Sequence, residues 1–183
     1  MKPVIAITIG DYNGIGPEIA LKSAAHPSIR KICTPLLVGP LNVFEHVANQ
    51  LKIKLKLQKA VFPLSKNSAT NVCDVGDGIW ADVHYGNVSK GAGKSAGVAI
   101  EKAVDLCVRG EAQAMVTAPV SKEALRLAGY DFPGQTEMVT LLSRSQRVAM
   151  MLVTDTMRVG LVTIHVPVSS ILQHLSKEKI VEK

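Results

Sequence analysis

Short apolar runs recur along this chain. They alternate with longer stretches in which apolar residues return every three or four positions, the pattern of strands feeding amphipathic helices. Pro3 to Ile9 is rich in β-branched residues and predicts a first strand. Gly10 to Gly16 then predicts a loop, with Pro17 at the first helical position and Glu18 in the first turn of a helix. Thr34 to Val38 predicts a second strand. Gly39-Pro40 introduces a helix to about Leu51, with Val43, Phe44, Val47 and Leu51 on one face and His46 on the exposed side. Ile53 to Leu57 predicts a third strand, flanked by Lys52, Lys54, Lys56 and Lys59 as a solvated face. Phe62 to Asn71 reads as loop. Val72 to Tyr85 has mixed strand character and Asp-Gly-type turns, with Trp80 and Tyr85 expected to pack and His84 without a visible partner. Ser95 to about Arg109 predicts a long helix packed through Val98, Ala99, Ala103, Leu106 and Cys107, with Gly91 and Gly93 as flexible punctuation before it.

The stretch that organises the rest is Thr117 to Glu137, TAPVSKEALRLAGYDFPGQTE. Ala114 to Val116 leads into it as a buried strand. Val120 to Ala128 has helical spacing and ends at Gly129, where a helix C-cap glycine belongs. Phe132-Pro133-Gly134 predicts a turn, and Gln135-Thr136-Glu137 open another helix through Leu142. Thr117, Ser121 and Lys122 therefore fall at the carboxyl end of a strand, the edge at which open α/β sheets bind ligands. Gln135 and Thr136 fall at a helix start, where free N–H groups favour anions. From this stretch alone, a solvated Lys122 and a helix-capping Thr136 are the favoured reading. Further on, Val148 to Val153 and Val159 to Ile164 predict strands about a Thr154-Asp155-Thr156 turn. Ser169 is expected to cap a short helix through Leu175, and Lys177 to Lys183 begins another.

Two glycine-rich segments invite a nucleotide reading. Gly14 and Gly16 nearly meet the dinucleotide fingerprint, but Ile19 occupies its third place, so no NAD is assigned to this loop. Asp11 beside them is a candidate substrate contact, with a turn-stabilising role as the simpler reading. Gly86 to Ser95 ends in Gly-Lys-Ser, yet Val88 stands where a P-loop needs glycine, and no apolar strand leads into it.

Composition narrows the classes. The 183 residues are 47% hydrophobic, 20% charged and 4% aromatic, a globular chain with an aliphatic core. No apolar run approaches the roughly 18 residues of a membrane span. MKPVIAITIG is read as a strand rather than a signal peptide. Cys33, Cys73 and Cys107 are an odd, widely spaced set, which argues against a disulfide framework and for a cytoplasmic protein. The net charge of +6 comes with few aromatics for base stacking, so an anionic small molecule is favoured over nucleic acid as a partner.

The T-x-P-V-x-K…AG…F-x-G-x-T-E pattern of Thr117 to Glu137 resembles the 4-hydroxythreonine-4-phosphate dehydrogenase family of vitamin B6 (pyridoxine) biosynthesis. So do ITIGDYNGIGPEI near the N-terminus and VGLVTIHVP at Val159 to Pro167. The resemblance spans the chain, which looks like the N-terminal half of the family. It implies an αβα sandwich with a largely parallel sheet and the two-domain isocitrate/isopropylmalate dehydrogenase-like fold. Residues 1–125 are expected to form the first domain and 126–183 the start of a second. It implies oxidation of 4-phosphooxy-L-threonine by NAD or NADP to a 2-amino-3-oxo acid phosphate, which decarboxylates to 3-amino-2-oxopropyl phosphate. It further implies a divalent cation (Zn, Co, Mn or Mg) with His165 as one ligand and two more histidines beyond Lys183, and a homodimer whose active site is shared between subunits. Gln135 and Thr136 are the implied substrate-binding residues; the family usually has histidine at the first of these. Tyr12 and Asn13 likewise stand where the family usually has proline and a small residue. The departure at Gln135 keeps open a paralogue acting on threonate or erythronate 4-phosphate, while that at Tyr12 and Asn13 bears on the shape of the loop. A non-catalytic phosphate-binding module is the rival from another class, and residues 1–183 alone are expected to be inactive.

Overall fold

The computed structural model describes residues 2–64, 69–76, 82–145 and 147–183. Its central feature is a five-stranded, wholly parallel sheet in the order β3-β4-β2-β1-β5. The strands are β1 (Val4–Thr8), β2 (Thr34–Val38), β3 (Leu57–Lys59), β4 (Thr70–Cys73) and β5 (Ala114–Val116). Ala6, Leu36, Leu37, Val38 and Val72 are wholly buried, as expected of strands covered on both faces. The connections run through α1 (Gly16–Ala25), α2 (Pro27–Ile32), α3 (Leu41–Gln50) and α4 (Lys90–Val108). The steps from β1 to β2 and from β2 to β3 go one way across the sheet, whereas β4 to β5 goes back. With right-handed crossovers, α1 to α3 lie on one face and α4 on the other. The packing agrees: α1 lies against α3 and β2, and α4 against β1, β2 and β5. The α/β sandwich expected from the sequence is the fold observed.

Beyond β5, α5 (Lys122–Leu127) and α6 (Gln135–Leu142) both pack on α4. Leu125, Tyr130 and Met138 close over Ala96, Ile100 and Val104 of α4 to form a second apolar cluster. Contacts divide the chain into two compact units, Met1–Ser143 and Arg144–Lys183. The expected domain boundary at 125/126 falls inside α5, within the first of these units. The second unit holds an antiparallel hairpin of β6 (Met150–Val153) and β7 (Arg158–Leu161), a 3-10 turn at Val168–Ser170, and the short helices α7 (Ile171–His174) and α8 (Lys177–Glu182).

Several local expectations are corrected. The third strand is Leu57–Lys59, not 53–57. Lys52 adopts a positive φ of 53° and Ile53 N–H donates back to the Ala48 carbonyl, so the chain is still leaving α3 where a strand was expected. Strand β4 begins inside the expected 62–71 loop. Its buried Thr70 and Asn71 disguise it: Arg30 donates to the Thr70 hydroxyl at 2.8 Å and Gln58 to the Asn71 side-chain amide oxygen at 2.8 Å. Helix α2 escaped the apolar pattern because it buries no residue. Tyr85 does not pack inside; it is half exposed, and its phenol donates to Gln50 at 2.6 Å. His84 has a partner in Asp82 at 2.9 Å. Ser169 caps nothing; the Ser170 hydroxyl instead donates to the Pro167 carbonyl. The expectation for Trp80 lies outside the described residues.

Candidate functional site

The chain leaves β1 towards β2 on one side, while β5 lies on the other. The carboxyl ends of β1 and β5 therefore form a topological switch point, where a crevice opens in sheets of this kind. Two loops meet there. Asp11 N–H donates to the Pro119 carbonyl at 2.9 Å, and Ala118 N–H donates to the buried Thr8 hydroxyl at 3.3 Å. The approach is so close that Gly10, at φ +70°, has no room for a side chain: a Cβ there would lie 2.4 Å from the Pro119 oxygen. A Cβ on Gly16 would lie 2.4 Å from the Ile9 oxygen. Both glycines are thus explained by the protein's own backbone rather than by a pyrophosphate.

Asp11 sits half buried on this edge, and one of its carboxylate oxygens accepts the Asn13 N–H at 2.9 Å. Lys122, three residues past Pro119, is the first residue of α5 and is exposed. Ser121 is occupied as the N-cap of that helix, its hydroxyl accepting Ala124 N–H at 3.1 Å.

Gln135 and Thr136 are the first two residues of α6, as the turn chemistry of Phe132-Pro133-Gly134 predicts. Thr136 does not cap the helix. The N-cap is Gly134, and no side chain satisfies the first-turn amides. The Thr136 carbonyl accepts the Thr140 hydroxyl at 2.7 Å, and Thr136 itself is exposed at the helix mouth. Free N–H groups, a hydroxyl and an amide suit an anionic oxygen at this end. Glu137, in the same first turn, folds its carboxylate towards Gly134 and sets a limit to how much negative charge the mouth attracts.

Helix α4 carries both α5 and α6, and its glycines make the approach possible. A Cβ on Gly93 would lie 1.8 Å from the Ala124 oxygen, and one on Gly97 2.1 Å from the Tyr130 ring. Gly91 and Gly93 belong to the helix and are not flexible punctuation before it: α4 starts at Lys90, with Ser89 accepting Ala92 N–H at 3.1 Å. The Gly-Lys-Ser triplet is helical, so no P-loop cradle exists there. Tyr130 is pushed up to about 12 by burial and by the Glu101 carboxylate, and Lys94 lies over its ring at 5.3 Å.

His165 belongs to the second unit. It is exposed and holds a positive φ of 55°, an uncommon conformation for a residue with a side chain. Among the described residues, no group of three His, Cys, Asp or Glu side chains is placed to hold a metal ion. One imidazole is a single ligand where a divalent ion takes four or more. The described residues by themselves do not fit such an ion. The sequence reading missed Thr8, Tyr12, Asn13 and Ser89. The one signal for Tyr12 and Asn13 was their departure from the family's usual pair; Thr8 and Ser89 carried none.

The model of the family described as "Pyridoxal phosphate biosynthetic protein PdxA" matches residues 31–183. The chain belongs to the PdxA family. A 4-hydroxythreonine-4-phosphate dehydrogenase of Trichlorobacter lovleyi is 35% identical over 99% of this chain and 55% of its own length. A D-threonate 4-phosphate dehydrogenase of Cupriavidus necator is 40% identical over 90% of this chain and 50% of its own. The crystal structure of a 4-hydroxythreonine-4-phosphate dehydrogenase from Burkholderia phymatum superposes with a TM-score of 0.90 at 33% identity, covering 98% of this chain and 55% of that one. The chain thus spans about half the length of the PdxA relatives it matches. No helix among the described residues is long and apolar enough to cross a membrane.

Proposed function

We propose that this chain contributes to a dehydrogenase that oxidises the secondary alcohol of 4-phosphooxy-L-threonine with NAD or NADP, in a cytoplasmic homodimer serving vitamin B6 synthesis. The β-keto acid formed then loses CO2. The observation that carries the reading is the likeness, along 99% of the chain, to a relative named for that substrate. The geometry of α6 supports it. Thr136 and the uncapped first-turn amides moor an anionic oxygen, and Gln135 orients a neighbouring hydroxyl or phosphate oxygen through its amide. At the other edge, Asp11 and Lys122 offer an acceptor and a cation to the substrate's polar groups. In this proposal His165 gives one ligand to a divalent metal (Zn, Co, Mn or Mg), the other ligands coming from outside these residues. Bound there, the ion would acidify the alcohol and polarise the new carbonyl.

A second reading is oxidation of threonate 4-phosphate. It is favoured by the 40% identity to an enzyme of that name and by Gln135, a neutral amide where the family usually has histidine. Full-length protein, assayed with both phosphorylated acids and with NAD+ and NADP+, separates the two by which pair forms reduced nicotinamide. Chelation should abolish the signal. No turnover of either acid in the presence of metal would reject both readings and leave a phosphate-binding module.

A further inference from the structure

We propose that Asn13 is a positioning residue, which fixes the Asp11 carboxylate at the switch-point edge by tying the β1 loop to the segment that caps α4; this rests on reading that edge as part of a phosphorylated hydroxy acid site. Asn13 is 2% exposed, and its whole side chain is spoken for. Its amide nitrogen donates to the Asn87 carbonyl at 2.9 Å and to the Ser89 hydroxyl at 3.1 Å. Its amide oxygen accepts His84 N–H at 2.9 Å. Two N–H donors and one oxygen are what an asparagine has to give. The backbone adds more: the Asn13 carbonyl accepts Gly86 N–H at 2.8 Å, and its N–H donates to Asp11.

The partner is equally committed. The Ser89 hydroxyl accepts from Asn13 and from Ala92 N–H, each at 3.1 Å. Tyr12 is itself buried, with its hydroxyl 2.7 Å from where a Cβ on Gly91 would stand. Asn13 therefore holds the α4 cap, and Tyr12 packs against Gly91 in its first turn. Asp11, the next residue back, is held on both sides: its N–H by Pro119 after β5, and one carboxylate oxygen by Asn13. The other oxygen has no partner among the described residues. A carboxylate so fixed presents one acceptor in one direction, which suits a hydroxyl or ammonium of a bound hydroxy acid. A residue at 13 without a side-chain amide lacks these bonds, so the device belongs to Asn13 itself.

The test uses the full-length protein with Asn13→Ala and with Asn13→Asp, the latter keeping the acceptor for His84 while losing both donors. Each is made alone and in an Asp11→Ala background. Losing bonds of ordinary strength should raise KM for the phosphorylated acid roughly tenfold while kcat stays within about threefold. In the Asp11→Ala background the Asn13 change should add nothing further, because its effect runs through that carboxylate. An undiminished effect in that background, or a lowered Tm with KM unchanged, would overturn the proposal. If the wild type turns over neither acid, the function proposed above fails and amide exchange decides the clamp. Exchange at residues 10–16 accelerated about tenfold by Asn13→Ala supports it, and unchanged exchange overturns it.

Discussion

Gln135 donates and accepts hydrogen bonds but does not change charge near neutrality, so its place at the mouth of α6 suits orientation rather than proton exchange. Gln135→His should therefore alter KM more than kcat in steady-state kinetics of the full-length protein; a large rise in kcat alone would show that a proton is exchanged there. Tyr130 makes a separate prediction about stability. Its phenol is pushed up to about 12 from an ordinary value of 10.0, because burial and Glu101 disfavour the phenolate. A raised value contributes stability that is complete below the unfolded value and lost as pH rises through the folded one. Tm of the wild type should fall more steeply than that of Tyr130→Phe between pH 10 and about 12, as followed by circular dichroism. Parallel curves would mean the phenol is not buried as described.

Helix α4 is the element on which the site-bearing pieces are mounted, and its glycines are there for proximity. Ala is the better helix former by about 1 kcal/mol, so propensity alone predicts that Gly93→Ala stabilises. Here the new Cβ would meet backbone at 1.8 Å, and the chain carrying Ala124 has to move. Overpacking of this kind costs about 1–3 kcal/mol or more, so Gly93→Ala should lower the urea midpoint; a raised midpoint would rule out the close α4–α5 contact. Helix α5 offers a milder case: Ser121→Ala removes a cap and should cost about 1 kcal/mol in the same measurement. Elements whose ends carry turn residues were legible in the sequence. Gly134 and the Pro before it place the start of α6 at Gln135, where it is found. The start of α4 was not legible, because Gly91 and Gly93 read as breakers until Tyr12 is seen against the first and α5 against the second.

At the scale of the whole molecule, the two compact units differ in how they are held. Wholly buried side chains such as Phe44, Leu36, Ile100 and Met138 all belong to the first unit. None of the described residues from 144 to 183 is buried, and Leu152, Val153, Leu172 and Val181 expose more than half their surface. Forty residues without a core cannot offset the entropy of ordering the chain. Residues 1–143 alone should unfold cooperatively with a retained α/β spectrum, while a peptide of residues 144–183 should be largely unstructured by circular dichroism. An ordered peptide would show that the hairpin and helices of the second unit are self-sufficient.

The sequence by itself determined the α/β alternation, most strands of the parallel sheet, the opening of α6 at Gln135 and the family to which the chain belongs. Each is written in apolar period, turn residues or local motif, which act over a few neighbours. The tertiary structure alone decided that Gly10 and Gly93 make room for backbone, that the polar Thr70 and Asn71 lie in a buried strand, and that Asn13 grips Ser89. Those facts depend on partners 13 to 76 or more residues away, where hydrogen-bond satisfaction and steric contact are settled only once the chain has closed on itself.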